Sequence, residues 1–411
     1  MTSIADRVAG PPLAGASDAI ARDAAPAAVA RAPGISLLAA GERELRLDLF
    51  RGLALWLIYI DHVSPDFLTW FTIRSYGFSD GAEIFIFISG YTAAFVYGRA
   101  MRQAGIVIGT ARILKRVWQI YLAHMFLLTI MLAEVCYVVA IANNPFYAEE
   151  MGIVHFFKDP GAAMVQGLLL RFRPLNMDVL PLNIVLMFFL PAILMLMKWR
   201  PNVTLALSVL LYFMRWQYDL YLTAFPSGFW AFNPFGWQLL FVFGAWCALG
   251  GAQSVSRMVS SRITLWISAA YVLAAFGVTL TWYFPQLSYL IPKPIGQWIY
   301  PISKTDFDVL RFVHFVALAA ITVRLVPGDW PGLKSPWLRP LILCGQFSLQ
   351  IFCLGIFLAF TGYSVLTEIS AGAGLHFLVG LIGVLIMSAM AWLLWWYKHS
   401  AGQTLNADFV G

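Results

Sequence analysis

RLDLFRGLALWLIYIDHV, residues 46–63, reads as a membrane helix interrupted by charge. Asp48 and Arg51 stand near its start, and Asp61 and His62 near its end. A charged side chain at mid-bilayer costs about 2.5–3.5 kcal/mol on insertion scales, so such groups usually face a bundle interior or a wet cavity. Arg51 and His62 are eleven residues apart. Eleven steps of about 100° bring a helix within about 20° of three full turns, so the two side chains share one face, about 16 Å apart along the axis. Asp48, three residues before Arg51, is in reach of it for an ion pair. Snorkelling of Arg51 and a carbonyl bond at His62 are the plain structural alternatives.

The rest of the chain has the composition this helix needs. Of 411 residues, 60% are hydrophobic, 16% aromatic and only 12% charged, whereas a soluble domain carries about a quarter charged residues. The chain is therefore expected in a lipid bilayer. Its net charge of +6 reads as a bias of Lys and Arg between loops, not as a nucleic-acid surface. The four cysteines, Cys136, Cys247, Cys344 and Cys353, lie in apolar runs without CxxC spacing and read as small hydrophobes, not as a metal site or disulfides. Residues 1–43 are rich in Ala, Pro and Gly and lack the layout of a signal peptide, so they read as a disordered cytoplasmic tail. A transmembrane domain is expected over 44–399 and a short cytoplasmic tail over 400–411.

The expected fold is all-α: a polytopic transmembrane helical bundle of about ten spans, near 48–69, 82–98, 117–141, 179–197, 203–219, 235–250, 263–284, 309–326, 339–362 and 375–397. Most cover a hydrocarbon core of about 30 Å at 1.5 Å per residue; those at 82–98 and 235–250 are short. With the N-terminus inside, the inner segments hold most of the Lys and Arg, while two outer loops, 220–234 and 363–374, hold none. That bias places both termini in the cytoplasm. The outer segment 143–178 contains an apolar run too short to span, which reads as an interfacial or re-entrant helix. No inverted repeat of the kind seen in many transporters is visible.

Further ionisable groups gather at the expected outer ends. FSDGAEIFIFISGYTAAF (78–95) puts Asp80 and Glu83 three apart on one helical face, beside His62. Asp80 also suits a helix cap. A histidine beside a carboxylate is a general-base arrangement, in which the carboxylate fixes the tautomer and stabilises the imidazolium. Glu83 is the better orienting partner, since Asp61 is about 100° from His62 on the helix. YPISKTDFDVLRFVHFVAL (300–318) brings Lys304, Arg311 and His314, with Asp308 three before Arg311 for a pair or a cap, and Asp178 adds a carboxylate. On the expected inner side, Arg112, Lys115 and Arg116 at the entrance to the third span serve as a topology signal or as a clamp for a phosphorylated cofactor.

The segment DLFRGLALWLIYIDH has the Arg, ten residues, then His arrangement of the membrane acyltransferase-3 superfamily, and the chain resembles more closely the OpgC family, succinyltransferases of osmoregulated periplasmic glucans. The resemblance runs from about 44 to 397 and includes DGAEIFIFISGYTAAFVYG, MDVLPLNIVLM, FGWQLLFVFG, LRFVHFVALA and GQFSLQIFCLG. It implies a multi-pass enzyme of the bacterial inner membrane that takes an acyl group, succinyl in that family, from cytoplasmic acyl-CoA to a hydroxyl of a periplasmic glucan or other glycan. No permanently bound cofactor is implied. Arg51 and His62 match the paired motif. The basic motif departs from the pattern, with Arg112 and Arg116 four apart and Lys115 at the expected spacing, and Asn183 stands where an aromatic is expected. On this reading His62 is the base, helped by Glu83 or Asp61. Arg311 supplies positive charge to the oxyanion, and Lys304 or Arg311 meets a succinyl carboxylate. No Ser or Cys stands out as a nucleophile. A proton-coupled transporter is the rival reading, since intramembrane Arg, Asp and His suit it equally.

Overall fold

The computed structural model describes residues 44–63, 67–369 and 372–408; the tail expected over 1–43 lies outside them. Ten principal helices carry the architecture: α1 (Leu45–Val63), α2 (Gly81–Ala142), α3 (Val179–Trp199), α4 (Pro201–Tyr218), α5 (Pro234–Trp246), α6 (Arg262–Tyr283), α7 (Val309–Leu325), α8 (Arg339–Gln346), α9 (Ser348–Glu368) and α10 (Ala373–Asp408). No strand occurs among the described residues, only an isolated bridge between Thr223 and Phe229. All ten expected segments fall on helices, with two differences. The second and third lie in the one long helix α2, and the ninth is divided between α8 and α9 at Phe347. Six helices are long and apolar enough to cross a membrane: α2, α3, α5 with its continuation to Ser254, α6, α9 and α10. α1 is not among them; it carries Arg46, Asp48, Arg51 and Asp61. The segment 143–178 holds three short helices, Phe146–Glu150, Val154–Lys158 and Pro160–Leu168.

α2 is two limbs. At Gly105 the backbone takes φ 87° and ψ 165°, a conformation glycine reaches at little cost. Gly109 then sits against Met101, and Val96 and Tyr97 of the first limb line the same cavity as Arg116 and Ile120 of the second. The limbs therefore fold back on one another.

α1 occupies the middle of the bundle, packed on α8 and α9 on one side and on α2 on the other. The contact with α8 is backbone to backbone. A Cβ on Gly52 would meet the Leu341 carbonyl, and one on Gly345 would meet the Asp48 carbonyl. α2 and α5 cross as closely, with Gly90 against the Phe241 carbonyl and Gly244 against the Phe87 carbonyl. Small residues at crossings are the usual route to tight packing inside a bilayer, where burial alone does not drive helices together. Between these crossings lies an apolar core that includes Leu55, Tyr59, Ile86, Leu182 and Phe241. Its effect is to hold the ends of α1, α2, α3, α5 and α7 in fixed relation.

Candidate active site

Local sequence chemistry sets each element at the Val63 end of α1. Asp80 opens α2 with a capping box: its Oδ1 accepts from Ala82 N at 2.8 Å, and Glu83 Oε2 accepts from Asp80 N at 2.8 Å. Asp308 opens α7 by accepting from Leu310 N at 2.8 Å, so it caps the helix rather than pairing with Arg311. Arg311 reaches across to α2 instead. Its Nε and Nη2 donate to Glu83 Oε1 at 2.8 and 2.5 Å, and Nη2 donates to Asp80 Oδ2 at 3.3 Å. Glu83 is 0% and Arg311 8% exposed. Charges this deep persist only when paired with good geometry, and the fork of guanidinium donors meets two carboxylates at once.

Glu83 gives one oxygen to Arg311 and the other to its own helix cap, and no bond from it to His62 occurs among the described residues. Arg311 is committed to two carboxylates. Lys304 is the more available cation. It donates to Asp80 Oδ2 at 2.6 Å while 41% of its side chain is exposed, and its ammonium stands 5.3 Å from the Phe232 ring.

The segment that delivers Lys304 is held by contacts the sequence reading passed over. Trp237 Nε1 donates to the Lys304 carbonyl at 3.0 Å, Tyr212 Oη to the Phe307 carbonyl at 2.8 Å, and Asn233 N to the Thr305 carbonyl at 2.9 Å. Arg215, 1% exposed, pairs with Asp306 at 3.2 Å and lies over the rings of Tyr212 and Trp216.

His62 is half-buried at the end of α1. Its Nδ1 lies 2.5 Å from the Ile58 carbonyl one turn back. A carbonyl only accepts, so the network assigns the proton to Nδ1 and leaves Nε2 with its lone pair. The backbone thus does what the sequence reading gave to Glu83. Asp80, Lys304 and Arg74 are the charged neighbours of His62. Asp61 is buried and shares those neighbours, and its Oδ1 has no hydrogen-bond partner among the described residues. His314 belongs to the same end but is enclosed. Its Nδ1 meets Ser79 Oγ at 2.7 Å, its Nε2 abuts Gly77, and Phe78 and Tyr271 flank the ring. The ring braces α7 against the start of α2, and its Nε2 is buried without a hydrogen-bond partner among the described residues. Asp178 accepts from Arg173 Nε at 2.7 Å, and Arg173 lies 4.4 Å over Trp230. Lys304 is a charged neighbour of Asp178 also.

At the other end of the bundle, Arg51 turns toward α2, where its Nη2 donates to Thr92 Oγ1 at 2.5 Å and to the Ile88 carbonyl at 3.4 Å. Asp48 is buried on the same helix, 4% exposed. Arg51 lines a half-open cavity of about 200 Å³ together with Arg116, Thr92, Ser89, Tyr97 and Asn183. Ser89 Oγ donates to Asn183 Oδ1 at 2.9 Å, so the amide in place of the expected aromatic makes this cavity polar. Of the three basic residues assigned to a cofactor, Arg116 reaches the cavity, while Arg112 and Lys115 are exposed.

A helical membrane protein with a half-open cavity lined partly by polar side chains, and a buried paired-charge cluster, is the class these features define. The sequence model of the OpgC protein family matches residues 43–399, and the chain belongs to that family. Membership implies a transferase-type enzyme with a membrane acyltransferase-like role. No curated protein and no solved structure matches the chain.

Proposed function

We propose that the protein is a multi-pass O-acyltransferase of a bacterial inner membrane that moves an acyl group, succinyl by family resemblance, from cytoplasmic acyl-CoA to a hydroxyl of a periplasmic glucan or other glycan. The observation that carries this reading is the division of α1. Arg51 at one end lines the half-open cavity, and His62 at the other, with Lys304 and Asp80 as charged neighbours, has Nδ1 on the Ile58 carbonyl. The Lys and Arg bias supports an inside N-terminus and an inside C-terminus, with about ten crossings over 44–399, a cytoplasmic tail at 1–43 and a short one at 400–411. Arg51 then lies toward the donor side and His62 toward the acceptor side. Arg116 and Arg51 give the cavity the positive charge that suits an acyl-CoA anion.

In the transfer, His62 Nε2 accepts the proton of the acceptor hydroxyl as its oxygen attacks the acyl carbon. The Ile58 carbonyl holds the ring in that tautomer throughout. Lys304, the exposed cation of the cluster, is placed to receive a free carboxylate at the far end of a succinyl group. Asp80, Glu83 and Arg311 hold the ends of α2 and α7 together around it.

The test is transfer itself. Membranes carrying the protein are supplied with labelled succinyl-CoA and periplasmic glucan, and the glucan is read by mass spectrometry. Wild-type protein is expected to acylate it and His62→Ala protein, present at equal amount, to leave it unmodified. Normal acylation by the His62→Ala protein would show the assigned base to be wrong.

A further inference from the structure

The end of α3 and the end of the first limb of α2 flank a second cavity, of about 570 Å³, that acyl transfer does not use. Ordinary ligand sites run to about 300–1,000 Å³. The cavity exists because three walls break at one place. α2 leaves the helical conformation at Gly105. α3 stops at Trp199, and Pro201 opens α4. The continuation of α5 departs from helical φ and ψ at Leu249 and Gly250. Ile106, Trp199, Pro201 and Leu249 all line the cavity, so each break faces the same space.

Its floor is apolar and its rim is cationic. Gly98 and Leu194 are buried, and one turn after each stands an exposed cation, Arg102 on α2 and Lys198 on α3. A Cβ on Gly98 would lie 3.4 Å from Leu249 Cδ2, 3.6 Å from Arg102 Nη1 and 3.9 Å from Leu194 Cδ2. The Arg102 guanidinium and two leucine methyls therefore converge on one point of the floor. Neither Arg102 nor Lys198 makes an ion pair or a side-chain hydrogen bond among the described residues. No Asp or Glu occurs at 84–133, 179–218 or 220–305, so the walls bring these cations no carboxylate. The other lining side chains are apolar or aromatic, with nothing to read a base or a sugar. Trp199, the last residue of α3, is 81% exposed. Tryptophan gathers where a bilayer meets water, which sets the mouth of the cavity at headgroup level.

We infer that this cavity binds an anionic phospholipid, its phosphate on Arg102 and Lys198 and one acyl chain over Leu194, Leu249 and Met101. Both halves of the molecule find a match. The fork of Arg102 donors fits phosphate oxygens, and Lys198 adds a point charge. Basic pockets between membrane helices are suited to anionic headgroups, and the apolar floor takes the chain. The lipid fills the gap left by three interrupted helices and ties their ends together. A ligand held by the folded state alone raises its stability. Nothing in this inference depends on acyl transfer, and its test reads no turnover.

The experiment uses the full-length protein, delipidated in detergent and titrated with phosphatidylglycerol or with phosphatidylcholine of the same chains. Native mass spectrometry reads retention, and thermal unfolding reads Tm. Phosphatidylglycerol is expected to be retained and to raise Tm, and phosphatidylcholine to do neither. Arg102→Gln with Lys198→Gln is expected to weaken phosphatidylglycerol binding about tenfold or more. Arg257→Gln with Arg262→Gln, the same charge loss at exposed sites off the cavity, should leave it unchanged. Gly98→Leu fills the floor, keeps both cations and should also weaken binding. Equal retention of the two lipids by wild-type protein overturns the inference, as does equal weakening by the two charge pairs. Displacement of phosphatidylglycerol by glycerol phosphate would make this a site for free phosphate, and displacement by coenzyme A a site for the donor; either overturns it. Should the Arg102 and Lys198 variant fail to accumulate, Gly98→Leu and the competition against wild-type protein decide the question.

Discussion

Removing Arg311 should reveal how strongly the carboxylate cluster holds the bundle together. Arg311→Met keeps the length of the side chain and deletes three N–H contacts: two to Glu83 at 2.8 and 2.5 Å and one to Asp80 at 3.3 Å. The loss does not fall evenly. Asp80 retains Lys304 at 2.6 Å and the Ala82 amide at 2.8 Å. Glu83 retains only the Asp80 amide, at 2.8 Å, in a site with 0% exposure. A charge stranded in this way typically destabilises by about 3–5 kcal/mol, whereas replacing both members of such a pair by groups of similar shape is close to neutral. The expected pattern is a double-mutant cycle with strong coupling. Arg311→Met lowers unfolding stability in detergent by several kcal/mol, and Arg311→Met with Glu83→Gln regains most of it. The assay is thermal or denaturant unfolding of the purified single and double variants. A neutral Arg311→Met, or a double variant no more stable than the single, would refute the argument that Glu83 depends on Arg311 for its charge.

Two further outcomes follow from how fully each cation is engaged. Lys304→Ala should change stability by less than about 1 kcal/mol, since its partner contact is half-open to solvent. It should raise KM about tenfold for an acyl donor ending in a carboxylate, the effect of about 1.4 kcal/mol, and leave KM for acetyl-CoA alone; equal shifts for both donors would remove Lys304 from carboxylate recognition. Arg116→Ala should weaken acyl-CoA saturation, while Arg112→Ala and Lys115→Ala leave it near wild type, because only the first lines the cavity. A uniform effect of all three would point instead to a diffuse basic surface.

Much of the helical layout was legible because hydropathy and turn chemistry are local. The ten apolar segments could be placed from composition, and Asp80 could be read as a helix cap before any packing was known, but Glu83, read as a partner for His62, was not recognised as the other half of a capping box. The fold-back at Gly105 was legible only as a gap between two apolar runs, where the backbone leaves the helical conformation. The stripe on α1 was readable from angular arithmetic; Arg51 turns to Thr92 of α2, while His62 bonds back to the Ile58 carbonyl of its own helix. Partners across the fold were not readable. Arg311 and Glu83 are 228 positions apart, and nothing periodic links them. The partner of His62 is a backbone carbonyl, which leaves no trace in side-chain identity. Arg173 meets Trp230 through irregular loops, where no helical spacing applies.

The charged groups in this membrane protein fall into two kinds, and the difference bears on which of them do chemistry. Asp80, Glu83 and Arg311 satisfy one another, so their desolvation is offset locally and their effect is to fix where α2 and α7 begin. Among the described residues, His62 Nε2, the part-exposed side chain of Lys304 and Arg116 at the cavity wall retain hydrogen-bonding capacity beyond the contacts the fold makes. Unmade polar contacts in an apolar interior lower stability, so a chain that keeps several of them near one path holds them for a ligand. On that argument the saturated cluster is the frame. The substrate is to be sought between Arg116 and His62, and variants along that line should change turnover more than they change folding.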